Sequence, residues 1–276
     1  MKEIFFNIDL FRIINEYTDL RSLCDTCSLL SMTLKKYINY KLNKEYSLMY
    51  YYDILFRNKV LSKIFDPYKQ LQLNLRDCKK IKDVSALGHV HTLNLNYCGK
   101  IIDVIALGNI HTLKLKYCNK ITDVSALGHV HTLDLSYCGQ ITDVSALGHV
   151  HNLDLSFCNK ITDVSALRNV YNLDLRCLKN ITDVNALGHV HTLSLYGCEN
   201  ITDVSALGNV HTLDLGYCYG ITNVSALGHV HTLDLMKCYK ITDVSALGNC
   251  HTLNLRLCEH ITDVSALGHV HTLILP

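Results

Sequence analysis

Histidine and cysteine, two side chains suited to metal and proton chemistry near neutral pH, recur in this sequence at fixed intervals. His-Val-His occurs at His89/His91, His129/His131, His149/His151, His189/His191, His229/His231 and His269/His271. Cys78, Cys98, Cys118, Cys138, Cys158, Cys198, Cys218, Cys238 and Cys258 share one spacing, with Leu178 filling its gap. Imidazoles held a few ångströms apart could bind zinc or copper, but a flat row lacks the closed tetrahedral shell such a site needs. A shared gain of charge below about pH 6 is the better reading. The cysteines follow a repeat rather than a disulfide framework. They suit a dry ladder in which the thiol packs as a small hydrophobe, with metal or redox roles as the alternative. Cys24 and Cys27 form a lone CxxC on a predicted helix. There is no Gly-rich phosphate loop, no Ser–His–Asp spacing outside the repeat and no zinc-type CxxC pair, so neither catalysis nor a cofactor is expected.

The composition narrows the class. The 276 residues carry 26 basic and 25 acidic side chains, which gives no basic surface for nucleic acid. No stretch is long and apolar enough to span a bilayer. Acidic residues interrupt the apolar start MKEIFFNIDLF and no small-residue cleavage site follows. The free-looking cysteines then point to a reducing compartment, cytoplasm or nucleus. Asn, Lys, Ile and Tyr crowd the first 70 residues, a bias that suits an AT-rich genome such as that of a large DNA virus or a protist.

What positions these side chains is a repeat. DVSALG or a near copy begins at Asp83, Asp103, Asp123, Asp143, Asp163, Asp183, Asp203, Asn223, Asp243 and Asp263, a period of 20 without insertion. The frame is V-x-x-L-x-L-x-x-C-x-x-I-x-D-V-x-x-L. Leu93 and Leu95 alternate with Thr92, Asn94 and Asn96, the period-2 pattern of a half-buried strand. Ile101, Val104 and Leu107 close the coil from the other side. Asp103 stands where a carboxylate accepts the first free N–H groups of a short turn, and Gly108 is expected to end that turn in the left-handed conformation. With about 10 residues for the return path, the convex side should be a 3₁₀ or single helical turn. One unit cannot fold alone; stacked units form a parallel sheet with strands about 4.8 Å apart. Eleven strands, the last one partial, would make a concave sheet on the order of 50 Å long.

This frame resembles the leucine-rich repeat, and Cys118 to Leu127 resembles its cysteine-containing class, shortened to 20 residues. The resemblance implies an α/β fold: a leucine-rich-repeat solenoid of ten coils, a parallel-sheet horseshoe or arc, over residues 71–276. The cysteine-containing class is found in F-box proteins, and the start of the chain is similar to an F-box. Phe6 stands for the family's leucine, Asp9 for its acid, Leu10 and Phe11 for the apolar pair and Ile14 for the isoleucine, followed by Asp19-Leu20 and Leu23. Asn7 replaces the family's proline and no Trp follows Ser28. The resemblance implies a small all-helical F-box-like domain at 1–45 and a helical linker and cap at 46–70, with Asp66-Pro67 at the boundary. It further implies a substrate receptor of a cullin–RING ubiquitin ligase. Phe6, Leu10, Ile14, Leu20 and Leu23 would then face the Skp-type adaptor, or in part the F-box interior, and the repeats would hold a protein substrate.

The outward strand positions form two columns where a substrate could sit. One reads Asn94, Lys114, Asp134, Asp154, Asp174, Ser194, Asp214, Asp234, Asn254, and its acidic part suits a basic segment, unless it is simply copied from repeat to repeat. The other varies more: Asn96, Lys116, Ser136, Ser156, Arg176, Tyr196, Gly216, Met236, Arg256. Arg176 and Tyr196 are residue types that anchor interfaces. The chain stops inside a strand at His271–Pro276 with no polar capping repeat, so the expectation is either a partner or second copy at that edge or a gene truncated by repeat copying.

Overall fold

The computed structural model describes residues 39–63 and 70–276. Strand β1 (Asn39–Lys41) is followed by helices α1 (Lys44–Tyr52) and α2 (Ile54–Lys63). Then come β2 (Gln70–Asn74), β3 (Thr92–Asn94), β4 (Thr112–Lys114), β5 (Thr132–Asp134), β6 (Asn152–Asp154) and β7 (Asn172–Asp174). The series ends with β8 (Thr192–Ser194), β9 (Thr212–Asp214), β10 (Thr232–Asp234), β11 (Thr252–Asn254) and β12 (Thr272–Ile274). All twelve lie in one sheet in chain order, and the registered pairs are parallel, as Leu133↔Leu153 and Asp134↔Asp154 show. The α/β leucine-rich-repeat solenoid read from the spacing is the fold. The sheet also extends one strand beyond the repeats, because β1 pairs with β2. Phe6, Leu10, Ile14, Leu20, Leu23 and the Asp66-Pro67 boundary lie outside the described residues.

Leucine, isoleucine and valine at the frame positions fill the inside of every coil. Leu133, Leu135, Ile141, Leu147 and Val150 are all buried, and full burial of each such side chain is worth roughly 1.5–3 kcal/mol. At the first coil this work passes to α1. Asn43 caps it by accepting the Tyr46 N–H at 2.9 Å. Tyr50 is fully buried in the core and bonds His89, while the Tyr51 hydroxyl donates to the Asp83 carbonyl at 2.7 Å.

The return path is a 3₁₀ turn in each coil, such as Ser125–His129. The aspartate before it closes the turn: Asp123 Oδ1 accepts the Ser125 N–H at 2.9 Å and Asp143 Oδ1 the Ser145 N–H at 2.8 Å. Gly108 corrects the expectation made for it, since its φ is −62°, ordinary right-handed backbone. Glycine stands there because the coils touch. A Cβ on Gly108 would lie 2.3 Å from the Ala126 carbonyl oxygen, and one on Gly128 2.4 Å from that of Ala146.

The left-handed residue sits elsewhere, just before the ladder position of each coil. Asp77, Tyr97, Tyr117, Tyr137, Phe157, Cys177, Tyr217, Lys237 and Leu257 have φ between 59° and 65°, and Gly197 has 71°. Left-handed backbone costs a non-glycine residue roughly 1–2 kcal/mol. The neighbouring coil holds it there: the Tyr117 N–H donates to the Ser136 carbonyl at 3.0 Å and the Tyr137 N–H to that of Ser156 at 2.9 Å.

Candidate functional site

The cysteine position is structural. From Cys98 onward each ladder thiol donates to a leucine carbonyl of the preceding coil, for example Cys98 to Leu75 at 3.2 Å, Cys138 to Leu115 at 3.2 Å and Cys258 to Leu235 at 3.0 Å. Burial pushes the Cys98 thiol up to about 11 and those of Cys118, Cys158, Cys198 and Cys238 up to about 12. A thiol so far above neutral pH stays protonated there, and it is the thiolate that acts as nucleophile. Among the described residues no three metal-ligating side chains cluster, and no helix is long and apolar enough to cross a membrane. A shallow depression of about 210 Å³ on the convex side is lined by Thr122, Asp123, Ser125, Asp143 and Ser145. Its two aspartates are the ones that close the turns.

The concave face carries the sequence variation. The strand register stacks Asp134, Asp154 and Asp174, and then Ser194, Asp214, Asp234 and Asn254. Each aspartate also ends its strand, accepting the N–H two residues on: Ser136 at 3.0 Å, Ser156 at 2.9 Å, Arg176 at 3.0 Å, Gly216 at 3.0 Å and Met236 at 2.8 Å. Asn94 and Asn254 make the same bond, so the bond does not require a charged acceptor. Desolvation, then the neighbouring carboxylates, hold the Asp154 carboxyl above the usual range, outweighing its bonds from Ser156. Desolvation raises Asp214 too, against the bonds from Gly216 and Ser194 and the charge of Arg176. Asp174 pairs with Arg176 at 2.6 Å. Ser194 Oγ donates to Asp214 at 2.9 Å and Asn254 Nδ2 to Asp234 at 2.9 Å.

Beside this column runs an aromatic stack that the sequence reading did not identify. Tyr97, Tyr117, Tyr137 and Phe157 lie face to face with ring centroids 4.9, 4.2 and 4.3 Å apart. Arg76 covers Tyr97 at 5.0 Å, and the Lys116 ammonium lies 4.9 Å from the Tyr137 centroid. The stack stops at Cys177 and Gly197, and there Tyr196 leans in to meet Tyr217 at 4.7 Å and 47°. Gly216 makes room for it, since a Cβ there would stand 3.0 Å from the Tyr196 ring. Asp174, Arg176, Tyr196 and Asp214, picked separately from two columns, are therefore brought together on β7 to β9 and the turns that follow them. Asp134 and Asp154 extend the patch toward Lys116, and Asp234 extends it the other way. A recurring aromatic one residue before the cysteine was the available signal for the stack.

The profile of the Leucine Rich repeat family matches residues 129–148, one unit of the stack. No curated protein sequence matches the chain. Among solved structures it is similar to an internalin, inlF, from Listeria monocytogenes, with 23% identity over 75% of this chain and 65% of that one and a TM-score of 0.52. It is also similar to the functional domain of InlJ from the same organism, which includes a cysteine ladder (19% identity, 72% and 56% covered, TM-score 0.41). The leucine-rich-repeat protein LegL7 from Legionella pneumophila matches at 15% identity over 86% of this chain and 90% of that one, with a TM-score of 0.41. The chain thus spans about 65% of the inlF chain and 56% of the InlJ chain. Fold and repeat together define a leucine-rich-repeat solenoid.

Proposed function

We propose that the chain is a non-enzymatic binding scaffold whose concave face holds a basic segment of a partner protein. The supporting observation is the half-buried column Asp134, Asp154, Asp174, Asp214 and Asp234, of which Asp174 is paired with a cation, Arg176. Stacked like charges about 4.8 Å apart destabilise the sheet, whereas the acceptor role alone is met by the asparagines Asn74, Asn94 and Asn254. A lysine or arginine side chain laid along the column would relieve the repulsion, with Tyr196 and Arg176 as edge anchors. Hydrogen exchange in the presence of a lysine-rich peptide tests this. Protection confined to β5–β10 is expected; protection confined to the convex turns would overturn it.

The finer reading, a substrate receptor of a cullin–RING ubiquitin ligase in cytoplasm or nucleus, rests on the F-box-like order Phe6, Leu10, Ile14, Leu20 and Leu23. Those residues would grip a Skp-type adaptor, and the solenoid would raise the local concentration of the substrate near the ubiquitin-loaded enzyme. Capture of the adaptor by the full chain and not by a Leu10→Asp, Ile14→Asp variant is the expected outcome. No capture by the folded wild type would leave a plain scaffold or decoy.

A further inference from the structure

One column of the solenoid is built almost wholly of histidine. His91, His111, His131 and His151 stack with ring centroids 4.6, 4.6 and 4.7 Å apart. Tyr171 continues the stack at 4.8 and 4.5 Å from its neighbours. His191, His211, His231, His251 and His271 then follow at 4.6–4.7 Å. The His-Val-His pairs conceal this arrangement. Only the second histidine of each pair is in the stack, and His111, His211 and His251 join it although an asparagine stands two residues earlier. Nδ1 is tied down within the coil: in His111, His131 and His211 it shares a hydrogen bond with the next threonine hydroxyl at 3.2 Å. Most of these rings are exposed at the rim of the sheet.

We propose that this ladder is a proton-gated binding stripe for an extended acidic segment of a partner protein. Imidazolium ions at this spacing repel one another, and an anion laid along the stacked row offsets that repulsion. Proton uptake and anion binding are therefore linked, each promoting the other. The stripe is one side chain wide. The charged groups alongside it are Lys114 and the Asp134, Asp154, Asp174, Asp214 and Asp234 column three residues along each strand, and on the other side the first histidines of the pairs and Arg168. A broad polyanion such as duplex nucleic acid or a membrane would meet those carboxylates, whereas a single narrow chain would not. Single-stranded nucleic acid is disfavoured because it needs open aromatic faces for its bases, and the faces of Tyr171 are covered by His151 and His191.

The test is binding of poly-L-glutamate to the full chain at pH 5.5 and 7.5 in low salt, beside oligo-deoxythymidine and a variant with His131, His151, His211 and His231 changed to Gln. Binding at least 10-fold tighter at pH 5.5, lost in the variant, and accompanied by proton uptake when calorimetry is run in two buffers, is expected. Equal affinity at the two pH values, unchanged binding by the variant, tighter binding of the oligonucleotide, or loss of the folded circular-dichroism spectrum at pH 5.5 would each overturn it. The acidic column is not the probe's target, so this outcome is independent of the basic-segment reading.

Discussion

The Cys118 thiol donates to the main-chain carbonyl of Leu95, one coil back, at 3.3 Å. The bond ties successive coils along the dry side of the solenoid, at a fully buried position. Desolvation then raises the thiol's pKa to about 12, so structural utility and chemical inertness have the same cause.

Thiol labelling reads this directly. Cys177 is the half-exposed cysteine among the described residues, and the others are buried. In the native protein at pH 8, peptide mapping should find Cys177 modified at least 10 times faster than Cys98, Cys138 or Cys218. Cys138→Ala should destabilise the fold by about 1–2 kcal/mol in urea, through lost packing and a lost weak hydrogen bond.

Two glycines at one repeat position should respond oppositely. A Cβ at Gly128 collides with the Ala146 carbonyl, while one at Gly268 meets nothing within 4 Å. Gly128→Ala should cost about 1–3 kcal/mol or more by overpacking. Gly268→Ala, at φ −62°, should be neutral or stabilising by about 0.4–1 kcal/mol. Urea midpoints distinguish the two.

Leu257 is left-handed at φ 61° and 38% exposed, so it has strain to lose and little packing. Leu257→Asn should raise stability by about 0.5–1 kcal/mol, since asparagine tolerates that backbone region. Tyr137→Asn should not, because it breaks the aromatic stack on both sides.

The solenoid was legible because its signals are local to one unit: the alternating leucines, the aspartate before the turn and the invariant period. Gly108 was misread because glycine ends many helices in the left-handed region, whereas here the contact that excludes a Cβ comes from Ala126 in the next coil. Tyr97, Tyr117, Tyr137 and Phe157 carry positive φ against their own preference, an override set by tertiary bonding that no single unit reveals. Strand β1 lies at Asn39–Lys41, within the segment expected to be a helical domain, because its partner β2 fixes it. On the concave face, Asp174 and Asp214 were visible as members of an acidic column, and Arg176 and Tyr196 as variation in the next one. That Gly216 is the space Tyr196 needs appears only once the coils are stacked.

Asp154 on the concave face and Asp143 in a turn give opposite pH dependences. The Asp154 carboxyl is raised in the fold, so its favourable contribution is complete below the unfolded pKa and is lost as pH rises through the folded value. Asp154→Asn should therefore stabilise the protein at pH 7 and have no effect at pH 3. Asp143 is lowered by its bonds from Ser145, so its contribution is present at neutral pH and lost as pH falls through the folded value. Asp143→Ala should destabilise at pH 7 and approach neutrality at pH 2–3. Thermal melts of both variants across pH check the signs.

The central claim is that the concave carboxylates hold a basic segment. Fluorescence anisotropy of a labelled lysine-rich peptide, at fixed moderate salt, tests it against the wild type and an Asp154→Asn, Asp214→Asn, Asp234→Asn variant, which keeps every strand-ending acceptor. The account predicts that the variant is at least as stable as the wild type and binds the peptide at least 10-fold more weakly. Equal affinity of the two proteins would contradict it, and the column would then be a strand-ending acceptor copied from coil to coil and nothing more.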